Sequence, residues 1–211
     1  GALTMGGTTT FNSGATGAKT DAAANTGNQS YVGAVSGTGL SLSSGTGSVT
    51  AINSANDFAG TLTLSSKGSS VTDANALTVV LNDLASASVI SGGALVVSGD
   101  VATNLTVNSA NTISFGTTTV TGGYLDATGA GNITQTGKLS VGGNLWMLTT
   151  AGNIDLGGYQ NINNVIDLVN PYVNHLGGTV SLTAPMATVV GGAATQPGSD
   201  VSLMADRINV G

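Results

Sequence analysis

Pairs of aliphatic residues separated by one polar residue recur along the chain and predict short β-strands. Alternation of this kind sends one set of side chains to a core and the other set to solvent. The first members of successive pairs lie about 15 to 26 residues apart, which is the range expected for solenoid repeats. The pairs are Leu40/Leu42, Leu62/Leu64, Leu77/Val79, Leu95/Val97, Ile113/Phe115, Ile154/Leu156, Val180/Leu182 and Val201/Leu203, and Ile133 joins the series with the polar partner Gln135.

Two further strand-like pieces lie inside most repeats, and Gly, Asn or Asp corners separate the pieces. Between Ile133 and Ile154, these pieces are Leu139/Val141 and Leu145/Met147. Three short strands make one coil of about 20 residues, and coils stacked about 4.8 Å apart pair every strand in parallel with its neighbours. The pattern predicts an all-β chain folded as a parallel β-helix, in which apolar burial arises between coils.

The corners repeat as well as the strands. Gly131-Asn132-Ile133 recurs as Gly152-Asn153-Ile154 after one full coil. Asn and Gly tolerate the backbone geometry of tight corners. We therefore expect Asn132 and Asn153 to stack as a ladder while the two isoleucines stack inside.

Two regions depart from this pattern and set the expected domain boundaries. Residues 1–35 have few aliphatic pairs and are predicted to be an irregular or loosely coiled N-terminal part. Residues 36–211 are predicted to form the β-helix, with a corner insertion near residues 157–178. That insertion contains Pro171, Tyr172 and the only histidine, His175.

Composition narrows the possible classes of function. The chain has 33 Gly, 7% charged residues, ten acidic residues that are all Asp, and a net charge of −6. Few of the charged residues that favour helices are present, which argues against amphipathic helices. The four cations are scattered, which argues against binding to nucleic acid or to anionic lipid. No stretch approaches the run of about 18 apolar residues that spans a bilayer, so we expect no membrane insertion. The absence of Cys fits a reducing compartment or an exported surface protein, and we favour export.

Motifs for catalysis, cofactors and metals are weak. The stretch "SGATGAKT" at residues 13–20 has the Lys-Thr pair of a phosphate-binding loop, but Ser13 and Ala18 replace its glycines. A single His and no Cys argue against a catalytic triad and against zinc, and singly spaced Asp residues argue against calcium. We expect no enzyme, no cofactor and no metal site.

Two kinds of surface feature suggest binding. Thr-x-Thr pairs at Thr61/Thr63, Thr117/Thr119 and Thr134/Thr136 resemble ice-binding ranks, although their spacing is unequal. Trp146 and Tyr172 are the candidate ligand contacts, because an exposed ring can stack on a sugar face. Trp146 points outward if Leu145 and Met147 point inward, whereas the alternate register buries it beside Leu148.

Three stretches resemble the repeats of filamentous-haemagglutinin-like exoproteins, the bacterial adhesins exported by two-partner secretion. They are "GNITQTGKLSVGGNLWMLTTAGNIDL" (131–156), "NDFAGTLTLSSKGSSVTDANALTV" (56–79) and "GGTVSLTAP" (177–185). The resemblance covers roughly residues 36–211. It implies a right-handed parallel β-helix that serves in attachment to host cells, in biofilm matrices and in contact between bacteria. The secretion domain of that family carries Asn-Pro-Asn, whereas here Asn170-Pro171 precedes Tyr172, which favours an interior segment.

The resulting hypothesis is a non-enzymatic structural and adhesive stalk segment of a secreted protein at the bacterial cell surface. Its expected partners are glycans or proteins of host or bacterial surfaces, and end-to-end self-association is expected at unpaired strand edges. One alternative is a module that recognises polysaccharide or ice through a flat β-face. Another is a polysaccharide-degrading β-helix enzyme, which needs clustered carboxylates with a basic partner on one face.

Overall fold

The computed structural model describes residues 27–156 in full, together with the backbone of short strands on either side of that range. All regular structure in these residues is β-strand, and none of them forms a helix that could span a bilayer. The strands are β1 (Thr9–Phe11), β2 (Ala15–Thr16), β3 (Gln29–Tyr31), β4 (Val35–Thr38), β5 (Ser41–Ser43), β6 (Ser48–Ala51), β7 (Asp57–Ala59), β8 (Thr61–Ser66), β9 (Gly68–Asp73), β10 (Leu77–Asp83), β11 (Ala87–Ser91), β12 (Leu95–Val101), β13 (Leu105–Ser109), β14 (Ile113–Val120), β15 (Leu125–Gly129), β16 (Ile133–Gln135), β17 (Leu139–Val141), β18 (Leu145–Thr149), β19 (Ile154–Asp155), β20 (Gln160–Asn163), β21 (Val173–Leu176), β22 (Val180–Val190), β23 (Ala193–Ala194) and β24 (Val201–Asn209).

The strands stack in parallel, coil upon coil, as the predicted β-helix. Face A is the stack of β5, β8, β10, β12 and β14, continued by β16 with β19 and by β17. Face B is the stack of β6, β9, β11, β13, β15 and β18. The strands β2, β4 and β7 form a separate, smaller parallel sheet. One coil takes about 20 residues, as the spacing of the aliphatic pairs predicted.

The core lies inside the coils and is continuous along the described stack. On face A, Leu77 pairs with Leu95, Leu95 with Ile113, and Ile113 with Ile133, and all four are at most 1% exposed. Each such side chain is enclosed by the coils above and below it. Burial of one aliphatic side chain contributes about 1.5–3 kcal/mol, so stability accumulates between neighbouring coils.

The number of strands per coil varies along the helix. The coil that begins at β15 has the three predicted strands, β15, β16 and β17. In the coils that begin at β9, β11 and β13, the second and third strands are one continuous strand of seven or eight residues. Gly99 marks a bend in β12, with φ of 105° and a register shift after Val97. A Cβ at Gly99 would lie 2.0 Å from the Leu81 carbonyl oxygen, so the bend there requires glycine.

From β12 to β15 the coils lengthen while the segments on either side of each added residue stay paired. Before the bend Val97 pairs with Phe115, and after it Gly99 pairs with Thr118, so the step between partners grows by one residue. At the start of β15 the partner of Leu105 is Leu125, and the step is longer by one residue again. Extra residues therefore enter at the bend and at the corners.

The corner residues form the predicted asparagine ladder. The Asn153 backbone N–H donates to the Asn132 side-chain oxygen at 2.8 Å, across one coil of 21 residues. Ile133 pairs with Ile154 directly inside this corner, and both are fully buried. The ladder and the stacked isoleucines are thus confirmed.

Inward-facing hydroxyls form a second ladder, which the sequence analysis did not predict. One inner column at the end of the face B strands contains Asp73, the hydroxyl residues Ser91 and Ser109, Gly129 and then Thr149. Ser91 and Ser109 donate to backbone carbonyls of the coil before them, at 2.7 Å to Asn75 and at 2.7 Å to Gly93. These bonds satisfy carbonyl groups at a partly buried corner.

Two of the predicted stacks are wrong. Leu62 pairs with Val79, two residues after the expected Leu77. The aliphatic series placed Val180/Leu182 directly above Ile154/Leu156, but Val180 pairs with Leu145 on face B. Ile154 pairs instead with Val189. The step from Leu145 to Val180 is much longer than the usual coil, so equal spacing assigns this strand to the wrong side of the coil.

Two predicted regions lie mostly outside the described residues. Of residues 1–35, the structure describes β1, β2 and residues 27–35, and of residues 157–178 it describes the backbone of β20 and β21. The predicted irregular N-terminal part and corner insertion therefore stay predictions.

Candidate functional site

Trp146 lies on the outer surface of face B. In β18 the side chains of Leu145, Met147 and Thr149 are buried, whereas Trp146 and Leu148 are 37% and 38% exposed. The structure therefore has the register in which Trp146 points outward. The only tryptophan of the chain is available to a ligand.

Tyr124 lies beside Trp146 and completes an aromatic pair. The two ring centroids are 5.3 Å apart and the ring planes are tilted by 47°. The Tyr124 backbone is fixed at both ends, because its N–H donates to the Asn104 side chain at 3.2 Å and its carbonyl accepts from Leu105 at 2.9 Å. A tilted pair at this separation is a favourable aromatic contact, so the two rings orient each other.

Asp126 lies next to the aromatic pair. It is the register partner of Trp146 on the neighbouring strand, about 4.8 Å away in backbone spacing. Its side chain is half-buried, and the structure gives it no ion pair within residues 27–156. We call Tyr124, Asp126 and Trp146 the aromatic corner.

Small hydroxyl residues cover much of the rest of face B. The outward rank that leads to Asp126 and Trp146 contains Ser70, Ser88 and Thr106. At the N-terminal end of the same face, a shallow hollow is lined by Ser48, Thr50, Lys67, Ser70 and Ser86, among others. The second outward rank of face B is mixed, since it contains Thr72, Ile90, Asn108, Thr128 and Leu148, and Ile90 is 45% exposed.

Two carboxyl groups in the described coils point inward. Asp83 is 3% exposed, and its Oδ1 accepts hydrogen bonds from Ser66 at 2.7 Å and Ser69 at 3.0 Å. Its Oδ2 has no hydrogen-bond partner among the described residues. Burial raises the pKa of Asp83, and the bonds from the two serines oppose that shift.

Asp73 is the second inward carboxyl group and is 2% exposed. Burial raises its pKa, while backbone N–H donors at Phe58 and Asn75 oppose the shift and the charge of Asp57 adds to it. Asp73 thus holds a corner together through its two backbone contacts, at 2.9 Å to Phe58 and 3.2 Å to Asn75. Among the described residues, no three His, Cys, Asp or Glu side chains group as a metal site would require.

The predicted ligand contacts are placed only in part. Trp146 is exposed, as its candidate role requires, but Tyr172 lies outside the described residues. Tyr124 and Asp126 were not predicted from the sequence as neighbours of Trp146. The signal was available, because a coil of about 20 residues places residue 126 beside residue 146, and residue 124 at the corner below it.

The C-terminal half of the described solenoid, including the aromatic corner, has a family match. Residues 102–183 match DUF5649, a family of repeats of unknown function. The DUF5649 match spans less than half of the 211 residues and supports a repeat protein. No curated protein and no solved structure matches the chain.

Proposed function

We propose that this chain is a non-enzymatic structural and adhesive stalk segment of a large secreted protein at the bacterial cell surface. The supporting observation is in-register parallel stacking from Gln29 to Asp155. Five strand spacings separate β6 from β18, so this part of the rod rises about 24 Å. A solenoid extends by adding coils and holds its outer faces in fixed positions, which suits a spacer that displays binding surfaces.

The resemblance to filamentous-haemagglutinin-like repeats motivates the finer part of the proposal. It favours export by two-partner secretion and a role in cell attachment or biofilm matrix. The surface chemistry fits noncovalent contact, since hydroxyl groups and exposed rings bind glycans and proteins through hydrogen bonds and stacking. The proposed partners are therefore glycans or proteins of host or bacterial surfaces, with end-to-end association at the open strand edges.

Bead adhesion tests the adhesive role. Beads coated with the full chain should stay on host-cell monolayers or bacterial biofilms under flow. Val89→Asp should abolish retention, because Val89 is fully buried in face B and a charge there disrupts the coil. Ser88→Asp is the matched control, since it adds the same charge on the outer surface of the same strand. Coated beads that wash off as readily as bare beads contradict the adhesive role.

Single-molecule stretching tests the stalk role. Coils that depend mainly on their neighbours should unfold one or a few at a time, each releasing roughly 65–70 Å for ~20 residues. A single all-or-none extension of the whole chain would contradict coil-by-coil mechanics.

The alternative of an ice-binding face gains no support from the rank that contains two of the predicted threonines. Thr61, Thr78, Val96, Ser114 and Thr134 follow one another in that outward column of face A, so the rank is chemically uneven. The alternative of a polysaccharide-degrading enzyme stays a prediction to be tested. Reducing ends or unsaturated uronates released from acidic polysaccharides would contradict the non-enzymatic proposal.

A further inference from the structure

We propose that the aromatic corner is a binding subsite for a cationic amino-sugar unit of a polysaccharide, specifically a hexosamine polymer with free amino groups. This site goes beyond the stalk role and does not depend on it. Three observations support this proposal. The fold does not require aromatic rings at these positions, a carboxylate lies beside the rings, and residues with hydroxyl groups lie nearby.

The fold does not need aromatic side chains at these positions. In the outward rank of Trp146, the preceding coils carry Ser88 and Thr106 and fold in the same register. At the corner of Tyr124, the coils before and after carry Asn104 and Asn144, whose carbonyls accept the same kind of backbone bond. Small polar residues therefore satisfy the coil at these positions, and the fold does not require the two rings.

The geometry of the rings suits a sugar. The Trp146 ring is exposed, and the Tyr124 ring stands at 47° to it with centroids 5.3 Å apart. The exposed indole offers a face for the C–H side of a pyranose, while the tilted phenol orients the indole and borders the site. An ammonium group on such a sugar also gains from the electron-rich ring faces.

The local charge selects the kind of sugar. Asp126 adjoins Trp146 in register and can pair with a ligand ammonium. Lys67 precedes β9, three strands from β15 and roughly 14 Å along the axis, and Lys138 precedes β17 on face A. The net charge of the chain is −6, so uronate or sulfated polymers meet repulsion and cationic polymers meet attraction.

The surroundings favour a sugar over a protein partner. Among the described residues, the exposed apolar side chains at the site are Trp146 and its strand neighbour Leu148, and half-buried Thr106 and Thr128 are the register partners of Asp126 and Leu148. A stable protein interface usually buries about 800 Å² on each partner around an apolar centre, whereas two exposed apolar side chains are described at this site. A sugar needs one ring face and several hydroxyl partners, and the site provides both.

The chain's single tryptophan makes the test direct, because fluorescence excited at wavelengths where the four tyrosines absorb little reports on Trp146 alone. The full chain is titrated with a glucosamine hexasaccharide, its fully N-acetylated counterpart and a galacturonate hexasaccharide. We expect a saturable change with the glucosamine oligomer, weakened by salt, and at least about tenfold weaker binding of the other two, since one charge-assisted contact is lost or reversed.

Three variants, checked by far-ultraviolet dichroism for an unchanged β signal, complete the experiment. Asp126→Asn and Tyr124→Asn should each weaken binding of the glucosamine oligomer at least about tenfold, and the second restores the residue type of the flanking coils. Asp100→Asn removes an exposed carboxylate from face A and should leave the affinity unchanged.

Any one of four results overturns the proposal. These are no saturable change with the glucosamine oligomer, equal affinity for the N-acetylated oligomer with no effect of Asp126→Asn, preferential binding of the galacturonate, or tighter binding of an oligolysine peptide than of the sugar. Failure here is distinguishable from failure of the adhesive stalk, because bead retention and stretching are measured independently of this ligand.

Discussion

Replacing Asp83 with valine should stabilise the protein at neutral pH. Asp83 belongs to an inner column of face A in which Ser66 precedes it and Val101, Val120 and Val141 follow it. All three valines are at most 1% exposed, so the column accommodates valine in the next three coils. Asp83→Val extends the apolar part of this column by one coil.

The expected gain in stability follows from the unpaired Oδ2 atom of the Asp83 carboxylate. An unpaired buried polar atom such as Asp83 Oδ2 costs about 1–3 kcal/mol, and the added apolar contact contributes about 1 kcal/mol. Ser66 and Ser69 lose their acceptor, which costs about 0.5–1.5 kcal/mol for each bond, although their hydroxyls stay 3.0 Å from each other. The net gain at pH 7 is about 1 kcal/mol, or roughly 2–4 °C in Tm.

The burial of Asp83 also determines the sign of the pH dependence of stability. Because burial raises the folded-state pKa of Asp83 above its ordinary value of 3.8, the neutral carboxyl group is favoured in the fold. Its contribution to stability is fully present below the ordinary value and is lost as pH rises through the raised folded-state pKa. The wild-type chain should therefore be more stable at mildly acidic pH than at pH 7, and Asp83→Val should lose much of that difference.

Denaturant unfolding followed by circular dichroism at pH 7 and at pH 4.5 measures both effects. Asp83→Asn is the matched control, since it removes the charge without extending the apolar column, and its stability should lie between those of the wild type and the valine variant. Asp73 keeps a raised pKa in both variants, so a residual pH dependence is expected. Destabilisation by valine at pH 7, or wild-type stability that rises from pH 4.5 to pH 7, refutes the reasoning.

Three further substitutions test the ladders and corners of the coil. Ser109→Ala should lower the free energy of unfolding by about 1–2 kcal/mol, because the buried hydroxyl donates to the Gly93 and Thr112 carbonyls at 2.7 and 3.0 Å. The control Ser88→Ala, on the outer surface, should change it by less than about 0.5 kcal/mol, and equal denaturation midpoints for the two variants refute this prediction. Asn132→Ala should cost about 0.5–1 kcal/mol and speed hydrogen exchange at the Asn153 amide, and unchanged exchange there counts against the ladder. Gly142→Ala places a Cβ 2.0 Å from the Thr121 carbonyl oxygen and should lower stability by about 1–3 kcal/mol; a neutral effect on thermal unfolding shows that the corner relaxes freely.

Periodicity was sufficient to predict the coil because the same alternation recurs in neighbouring coils. It placed Leu77, Leu95, Ile113 and Ile133 in one stack and predicted the asparagine ladder, whereas it left two registers open for Trp146. These features depend on local alternation and on one coil length, and a sequence shows both directly.

Features that depend on comparisons between coils were not predicted. A period of two places Asp83 inside, but its polarity favours a corner, and only the partners Ser66 and Ser69 explain its burial. Tyr124 reaches Trp146 because the corners of adjacent coils align, which the strand-based series did not follow. The assignment of Val180 to face B depends on one unusually long step from Leu145, which a search for equal repeats does not detect.

In these coils, the length of the perimeter can change independently of the pairing of the strands. Residues added at the bend of β12 and β14 and at the following corner change the perimeter by one or two residues while the strands keep their partners. Insertions, deletions and substitutions at these points can therefore change the outer edge of the coil without repacking the core. The outer surface of such a protein can therefore diverge in evolution while the buried core stays the same.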